Sequence, residues 1–226
     1  VCSSDLSTIA VEGALPALAA AFKAKTGMEP TIEFAPTGPL VERIRQGARG
    51  DVAVLTVIGL DTLTRDGVLA GPSRINLVDS LMGVTVKAGA RMPDISTKAA
   101  FLEALRNCRG FAYSQAGASG LYFADLIKKL GIEDMIRPKA RIVPGFTAKT
   151  LITGEADLAL QQIAELMMVD GIEEPTPLPA ELQVVTTFGA AAFAGPVNGA
   201  AADFVKFLAS PEARPLYTKA GLTPLI

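Results

Sequence analysis

The segment TIEFAPTGPLVERIRQGARGDVAVLTV, residues 31–57, decides the fold class because two strand patterns in it flank a helix pattern. Residues 31–35 alternate polar and apolar side chains as a strand does, and Pro39 is well placed for the first turn of a helix. Residues 51–57 are a nearly continuous apolar run, which is typical of a strand covered on both faces. A strand, a helix and a second strand in succession indicate a parallel α/β sheet.

The same alternation continues on both sides of this segment. A helix is predicted over 13–27, where Gly27 ends it, and another is predicted over 59–66. A second series of elements follows, with predicted helices at 96–106, 119–130 and 146–154 and predicted strands at 110–114, 140–143 and 157–162. Two α/β units are therefore expected.

Two extended runs, near 81–87 and 184–194, are the candidates for the chain crossings between these units. We expect one lobe to consist of residues 1–82 plus 190–226 and the second lobe to consist of residues 83–189. Two lobes joined by two strands form a cleft, and closure of such a cleft around a ligand is the usual purpose of the hinge.

Both ends of the chain carry specific expectations. Residues 1–6 fit poorly as a buried strand because the polar residues 3–5 interrupt the apolar run, and the sequence leaves open whether these six residues belong to the native gene. The last two helices are predicted over 200–209 and 211–220, and Ser210 is expected to cap the final one.

Composition narrows the possible chemistry. The chain has 226 residues, of which 50% are hydrophobic, a formal net charge of −2, and no histidine or tryptophan. Without histidine, neither a Ser-His-Asp triad nor a Cys-His pair can form, and HExxH-type zinc sites are excluded. Cys2 and Cys108 lie far apart in the sequence and are interpreted as two unrelated thiols.

The sequence also limits the possible partners. No basic run favours nucleic acid as a partner, and no apolar stretch reaches the ~20 residues of a membrane span. No nucleotide-binding motif is present, and no cofactor is expected.

Seven segments of the sequence indicate a protein family. Each segment alone is a weakly specific motif, but their order and spacing together are fairly specific. They are STIAVEGALPALAAAFKAKTG (7–27), FAPTGPLVERIRQGARGDVAVLT (34–56), PSRINL (72–77), GVTVKAGARMPDIST (83–97), SQAGASGLYFADLIKKLGI (114–132), GEADLALQQIAEL (154–166) and FVKFLASPEARPLYTKAGLTP (204–224). In these segments the chain resembles the type II periplasmic solute-binding proteins, specifically the molybdate-binding-protein-like branch. The resemblance implies an α/β, two-lobed periplasmic-binding-protein type II fold, with two Rossmann-like lobes joined by a two-strand hinge.

The resemblance also implies a location, a partner and a ligand. It implies a periplasmic, monomeric protein that serves the membrane subunits of an ABC importer and binds a small anionic ligand between its lobes. In that family the anion lies against helix N-termini and loop hydroxyls. Helix N-termini attract anions on physical grounds as well, because the first N–H groups of a helix lack intrahelical partners and carry partial positive charge.

Small and hydroxylated residues occur where four predicted strands turn into helices, and ligands of open α/β sheets bind at the carboxyl ends of strands. The candidate ligand-binding residues in these turns are Ser7, Thr8, Ile9, Ala10, Thr37, Gly38, Thr56, Ala118, Ser119 and Gly120. By its position in the family, Arg74 is the best-placed fixed cation, and a guanidinium binds a carboxylate in a bidentate manner. Gln161 and Gln162 end an apolar strand. Because adjacent strand residues point in opposite directions, one of the two is expected to face the cleft.

Each candidate also has a purely structural interpretation. Ser119, taken alone, is interpreted as the N-cap of its helix, and Thr37 either begins a turn before Pro39 or binds the ligand. Thr56 can satisfy local backbone groups, and the two glutamines can be an ordinary strand end. Arg74 can belong to a surface ion pair. The ligand-binding interpretation therefore rests on the four turns together.

Two departures from the family weaken molybdate as the ligand. Molybdate-binding members have a tyrosine near the position of Gln161 or Gln162, and this chain has none there. Glu12 lies in the first ligand loop, where a carboxylate repels an anion. It either turns to solvent, which we favour, or has a chemical task. A small organic carboxylate is therefore supported at least as well as a molybdate-like oxyanion.

The favoured hypothesis is a passive binding protein for a small anion. The alternative is an enzyme, because the same branch resembles the aconitate isomerases, which move a double bond in a tricarboxylate by proton transfer. That reaction needs a base, and without histidine the base would be a carboxylate, a lysine or a tyrosine, with Glu12 as the first candidate. A third hypothesis, a regulatory domain behind a DNA-binding helix-turn-helix, is disfavoured because no segment precedes residue 7 in this chain.

Overall fold

The computed structural model describes residues 3–195 and 199–226, and Cys2, one of the two predicted free thiols, lies outside them. The chain divides into two compact units: unit 1 is Val1–Ser80 with Thr186–Ile226, and unit 2 is Leu81–Val185. Each unit contains one β-sheet with helices, so the predicted α/β class is confirmed. In the described residues, no helix is both long and apolar enough to cross a membrane.

Strands and helices alternate through most of the chain. The strands are β1 (Ser3–Thr8), β2 (Pro30–Ala35), β3 (Val52–Thr56), β4 (Ile75–Ser80), β5 (Met82–Thr85), β6 (Phe111–Ser114), β7 (Ala140–Val143), β8 (Leu158–Gln162), β9 (Thr176–Pro177), β10 (Thr186–Ala192) and β11 (Thr223–Pro224). The α-helices are α1 (Leu15–Thr26), α2 (Thr37–Arg45), α3 (Val57–Arg65), α4 (Lys98–Asn107), α5 (Ala118–Lys129), α6 (Glu133–Ile136), α7 (Lys149–Thr153), α8 (Ile163–Leu166), α9 (Gly199–Leu208) and α10 (Arg214–Lys219). Short 3-10 helices occupy Ile9–Val11, Gly71–Ser73, Arg137–Lys139 and Ala180–Leu182.

The sheet of unit 1 has six strands in the order β11-β4-β10-β3-β1-β2. Strand β1 pairs in parallel with β2 and β3, whereas β10 pairs antiparallel with β3 and β4. Strands β1, β2, β3 and β4 therefore run in one direction, and their last residues, Thr8, Ala35, Thr56 and Ser80, lie at the same edge of the sheet. We call this edge the carboxyl edge of unit 1. Helices α2 and α3 begin there, directly after β2 and β3.

The sheet of unit 2 has five strands in the order β7-β6-β8-β5-β9. Strand β6 is parallel to β7 and β8, and Ser114 at its end pairs with Val143 at the end of β7. Strand β5 is antiparallel to β8, so its first residue, Met82, pairs with the last residue of β8, Gln162. These residues define the carboxyl edge of unit 2, from which helices α5 and α8 begin.

Each unit has its own aromatic and aliphatic core. In unit 1, the ring of Phe22 on α1 lies 5.0 Å from that of Phe204 and 5.5 Å from that of Phe207, both on α9. In unit 2, the ring of Phe123 on α5 lies 4.8 Å from that of Phe111 on β6. Burial of such rings contributes most of the energy that holds helices onto sheets. The core packing therefore fixes where α1 and α5 lie on their sheets.

The opening residues form a strand despite their polarity, so the expectation that residues 3–5 break the strand is wrong. Strand β1 begins at Ser3 and includes Asp5, whose side chain is buried. The Asp5 Oδ1 atom accepts the backbone N–H of Val52 at 3.0 Å, and the backbone N–H of Ser4 donates to Asp51 Oδ2 at 2.8 Å. Polar side chains therefore bond to the neighbouring strand where a hydrophobic run was expected.

The last helix also differs from the prediction. Helix α10 begins at Arg214 with Ala213 as its N-cap, so Ser210 is not its cap. The Ser210 hydroxyl is buried and has no hydrogen-bond partner among the described residues, while the backbone N–H of Ser210 donates to Phe207 O at 2.9 Å. Residues 211–213 form a turn that continues from α9, because Ala213 N–H donates back to the Ser210 carbonyl at 3.0 Å.

Candidate functional site

The first turn at the carboxyl edge of unit 1 follows β1. Ser7 is fully buried, and its hydroxyl donates to the Thr8 carbonyl at 3.1 Å. Thr8 is also buried and is the residue before the 3-10 helix Ile9–Val11, in which Ala10 is buried and Ile9 is half-buried. The Ser7 hydroxyl is therefore used in local structure, and the turn offers Thr8 and the backbone groups that follow it.

Thr37 lies at the second turn, as the first residue of α2, with Pro36 as N-cap. Its Oγ1 atom is buried and has no hydrogen-bond partner in the described part of the chain, although other atoms of the residue are partly exposed. Gly38, the next residue, is exposed. Because a buried hydroxyl without a partner costs about 1–3 kcal/mol, Thr37 at the first turn of α2 leaves a hydrogen-bonding group that a ligand could satisfy.

Thr56 has a structural task at the third turn. It is the N-cap of α3, and its Oγ1 accepts the N–H of Gly59 at 3.2 Å. The interpretation that Thr56 satisfies a local backbone group is therefore confirmed for its hydroxyl oxygen, which accepts this hydrogen bond. The hydroxyl hydrogen is not used by this cap, since a threonine hydroxyl both accepts and donates.

Ser119 is not the N-cap of α5, so that interpretation is wrong. The N-cap is Gly117, whose N–H donates to Ser114 Oγ at 3.0 Å. Ser119 is the second residue of the helix, its side chain is 1% exposed, and its Oγ has no hydrogen-bond partner among residues 3–195 and 199–226. A capping serine would accept a first-turn N–H, but Ser114 makes that bond here. The Ser119 hydroxyl thus has the same unpaired state as that of Thr37.

Gly120 is required by close packing. A Cβ atom at this position would lie 1.8 Å from the backbone oxygen of Ser114, well inside contact distance. Only glycine therefore lets the first turn of α5 approach the end of β6 so closely. The N–H groups of Ala118, Ser119 and Gly120 precede the first intrahelical bond, from Leu121 N–H to Gly117 O at 3.0 Å, and remain as donors for an anion.

The two glutamines at the end of β8 have different surroundings. Gln161 Oε1 accepts the N–H of Thr147 at 2.8 Å and its hydroxyl at 3.1 Å, and Gln161 Nε2 donates to Gly145 O at 3.0 Å. The Gln161 amide therefore holds the turn between β7 and α7. Gln162 is the buried N-cap residue of α8. A role of Gln162 toward a ligand stays a prediction.

Arg74 is placed differently from the other candidates. It precedes β4, and its neighbour Ile75 lies level with Val54, two residues before the end of β3. Its Nη2 atom lies 3.0 Å from Asp61 Oδ1 in α3. The structure therefore favours the ion-pair interpretation, and it places Arg74 at the amino end of β4, below the carboxyl edge that holds Thr56.

We predict that Arg74→Met leaves anion affinity within about twofold of the unsubstituted protein and lowers stability by about 0.2–1 kcal/mol, the usual contribution of a partly exposed ion pair. Calorimetric titration and urea unfolding measure the two quantities. Asp61→Asn is the matched control, because it breaks the same ion pair from the other side. A tenfold loss of affinity in Arg74→Met, with no loss in Asp61→Asn, would restore Arg74 as a ligand residue.

Glu12 follows the 3-10 helix Ile9–Val11, and its backbone N–H donates to the Ile9 carbonyl at 3.1 Å. Its side chain is partly exposed, between the buried Val11 and the exposed Gly13. The backbone of Glu12 is thus held by the turn, close in sequence to the buried Thr8. Both interpretations of Glu12, a side chain that turns to solvent or a base in catalysis, stay predictions.

Tyrosines and groups of potential metal ligands are two further kinds of side chain that bear on the chemistry of this protein. Burial raises the pKa of all three tyrosines, Tyr113, Tyr122 and Tyr217, which therefore stay protonated near neutral pH and are poor bases. Within the described ranges, no three His, Cys, Asp or Glu side chains are grouped to hold a metal ion. The described turns offer an anion the hydroxyl groups and the helix N-termini given above.

Three polar residues at these edges were missed by sequence reasoning. Ser80, at the end of β4, is fully buried, and its Oγ has no hydrogen-bond partner in the described residues. Ser114 accepts the Gly117 N–H, and Thr147 bonds to Gln161. Ser114 and Thr147 follow the same rule as the predicted residues, a hydroxyl where a strand turns into a helix. Ser80 ends a strand with no helix after it, so that rule did not apply to it.

Two α/β units, each presenting helix N-termini and small polar residues at the carboxyl edge of its sheet, define a class of ligand-binding proteins. The chain belongs to the bacterial extracellular solute-binding proteins, because the model of that family matches residues 6–223. A curated relative, aconitate isomerase from Pseudomonas sp, is 30% identical over 228 residues, which cover 97% of this chain and 87% of the relative.

Solved structures share the fold at lower identity. The periplasmic molybdate-binding protein of Azotobacter vinelandii has a TM-score of 0.78 and 21% identity, with 97% of this chain and 98% of that chain covered. The sulfate-binding protein SubI of Mycobacterium tuberculosis H37Rv has a TM-score of 0.80 and 14% identity, with 100% of this chain and 87% of that chain covered. The predicted resemblance to type II solute-binding proteins of the molybdate-binding-like branch, and the predicted two-lobed fold, are confirmed.

Proposed function

We propose that this protein is an extracytoplasmic binding protein for a small anion, which is held by the carboxyl edges of both units. The observation that carries the proposal is a pair of buried hydroxyls, Thr37 Oγ1 in unit 1 and Ser119 Oγ in unit 2, that have no hydrogen-bond partner within residues 3–195 and 199–226. Each belongs to the first turn of a helix, α2 or α5, where N–H groups also lack acceptors. An anion supplies the acceptor that both groups lack.

A bound anion would satisfy both hydroxyls with a gain in free energy. A buried hydroxyl that stays unpaired costs about 1–3 kcal/mol, and a hydrogen bond from it to a charged group contributes about 1.5–3 kcal/mol. The two helix termini add partial positive charge without a titrating cation. Such a site binds its anion with an affinity that depends little on pH once the ligand is ionised.

Membership of the solute-binding family supports assigning the turns of both edges to one ligand. Ser80 ends β4 at the carboxyl edge of unit 1, and Met82, two residues later, pairs with Gln162 at the carboxyl edge of unit 2. The proposed site therefore includes Thr8, Thr37, Gly38, Thr56, the first turn of α5 and Gln162, and it does not include Arg74.

For the ligand we propose a small organic carboxylate, with a molybdate-like oxyanion as the other member of the anion class. The relative named aconitate isomerase supports the carboxylate, and the missing tyrosine near Gln162 weakens molybdate. For the setting we propose a periplasmic monomer that delivers its ligand to the membrane subunits of an ABC importer, as expected for a member of an extracellular solute-binding family.

The second candidate function is isomerisation of a tricarboxylate such as aconitate, which the 30% identical relative specifically favours. Proton transfer needs a base near an activated carbon, and the partly exposed Glu12 in the turn after Thr8 is the group that we propose for it. The first-turn N–H groups and hydroxyls would then stabilise the developing negative charge.

Calorimetric titration with trans-aconitate, citrate, molybdate and sulfate, followed by an ultraviolet assay of trans-aconitate isomerisation, separates these functions. We expect binding of at least one carboxylate and no turnover. Turnover that Glu12→Gln abolishes while binding persists would establish the enzyme instead. Binding of molybdate without any carboxylate would overturn the carboxylate proposal, and binding of none of the four would overturn the anion site.

A further inference from the structure

Gly59 lies where the first turns of α2 and α3 meet. It is the third residue of α3, and its N–H donates to the Thr56 cap at 3.2 Å. Its backbone is helical with a negative φ, a conformation open to every residue. Glycine is also one of the poorest helix formers, so helix propensity does not favour it here. The reason for a glycine must be the space around it.

That space is filled by the residues of the candidate site. A Cβ atom on Gly59 would lie 2.9 Å from Thr37 Cγ2, 3.3 Å from Val41 Cγ2 and 3.4 Å from Thr56 Oγ1. The first of these distances is shorter than real Cβ contacts allow. Gly59 is therefore the point at which the side chain of Thr37 packs directly against the backbone of α3.

We infer that Gly59 is a positioning residue, whose missing side chain sets the place of the Thr37 hydroxyl beside the N-terminus of α3. This inference rests on the proposed anion site, and it identifies a determinant of affinity and ligand size within that site. Gly59 itself does not touch the anion. It acts through Thr37, whose unpaired hydroxyl is the group that the anion needs.

The methyl group and the hydroxyl of Thr37 cannot change position separately. The methyl group and the hydroxyl of Thr37 are both attached to Cβ, so no rotation about χ1 moves one without the other. A methyl group on residue 59 therefore forces either α2 away from α3 or the hydroxyl out of its position. Both movements change the distance between the donor groups of the two turns, and an anion of fixed size loses contacts.

Four variants test the inference: Gly59→Ala, Thr37→Ser, the two combined, and Thr37→Val. Serine keeps the hydroxyl and lacks the methyl group that a Cβ on residue 59 would contact. With trans-aconitate and molybdate as probes, we expect Gly59→Ala to lower affinity at least tenfold. We expect Thr37→Ser to lower affinity by a smaller factor, because it keeps the hydroxyl but loses the methyl group that packs against α3. We expect the combined variant to return to within about threefold of Thr37→Ser. Gly59→Ala with unchanged affinity, or no recovery in the combined variant, would overturn the inference.

The remaining variant and a measurement without ligand separate this inference from the proposed function. If Thr37→Val binds the probes as the unsubstituted protein does, the proposed anion site fails, whatever happens at Gly59. Thermal unfolding without ligand examines the packing alone. We expect Gly59→Ala to lower the melting temperature by about 2–4 °C or more and Thr37→Ser to restore most of the loss. Independent effects of the two substitutions on the melting temperature would also overturn the positioning role.

Discussion

Thr37→Val and Ser119→Ala are each expected to lower anion affinity by about tenfold to a hundredfold without lowering the stability of the free protein. The affinity falls because each substitution removes a hydrogen bond to a charged group, which contributes about 1.5–3 kcal/mol. Stability is preserved because neither hydroxyl has a hydrogen-bond partner in the part of the chain that the structure describes, so its removal relieves an unpaired buried group. Calorimetric titration measures the affinity, and urea unfolding measures the free energy of unfolding.

Thr150→Val is the matched control for this prediction. The Thr150 hydroxyl is buried like that of Ser119, but it donates to Thr147 O at 2.7 Å. Removing it should cost about 1 kcal/mol of stability, since a satisfied hydrogen bond is lost. If Thr37→Val and Ser119→Ala destabilise the protein as much as this control while leaving affinity unchanged, the two hydroxyls serve folding and the anion site is wrong.

Gly120→Ala is expected to be the most destabilising single substitution at the carboxyl edges, with a cost above about 3 kcal/mol. The added Cβ would lie 1.8 Å from the backbone oxygen of Ser114. The nearest atoms all belong to the backbone of Ser114, so no flexible side chain can move away to make room. Helix α5 would have to shift on its sheet, although Phe123 packs against Phe111 in the core. Urea unfolding measures the loss, and failure to fold agrees with it.

Gly38→Ala is the control that isolates this close approach. Gly38 is also a first-turn glycine, in α2, but a Cβ there would have nothing within 4 Å. We expect its stability to stay within about 1 kcal/mol of the unsubstituted protein, with a gain favoured by the better helix propensity of alanine. Equal effects of the two substitutions would contradict the packing argument for Gly120.

Much of the fold follows from local patterns. The apolar run at 51–57 became β3, the turn at Thr37 became the start of α2, and Gly27 ends α1 in the left-handed conformation. These features were predictable because periodicity and helix signals depend on neighbours in the chain. The opening strand was not predictable in this way, because Asp5 is satisfied by the backbone of Val52, 47 positions away.

The candidate site was predictable only as a set of turns. Thr37, Thr56 and Ser119 were identified by residue type at the ends of predicted strands, and the structure confirms that each stands at the start of a helix. Their individual states were not predictable. Thr56 caps α3 while Ser119 caps nothing, because Ser114 takes the cap bond of α5.

The sequence by itself determined the α/β class and the chemistry available for binding: hydroxyls and helix N-termini, no histidine, and few charges near the turns. Only the tertiary structure decided which groups are free to bind. The fold paired Arg74 with Asp61 and bonded Gln161 to Thr147. It left the hydroxyls of Thr37 and Ser119 without hydrogen-bond partners among the described residues. The physical reason is range, since periodicity and helix signals act between neighbours, whereas hydrogen bonds and close approaches depend on atoms that the fold brings together.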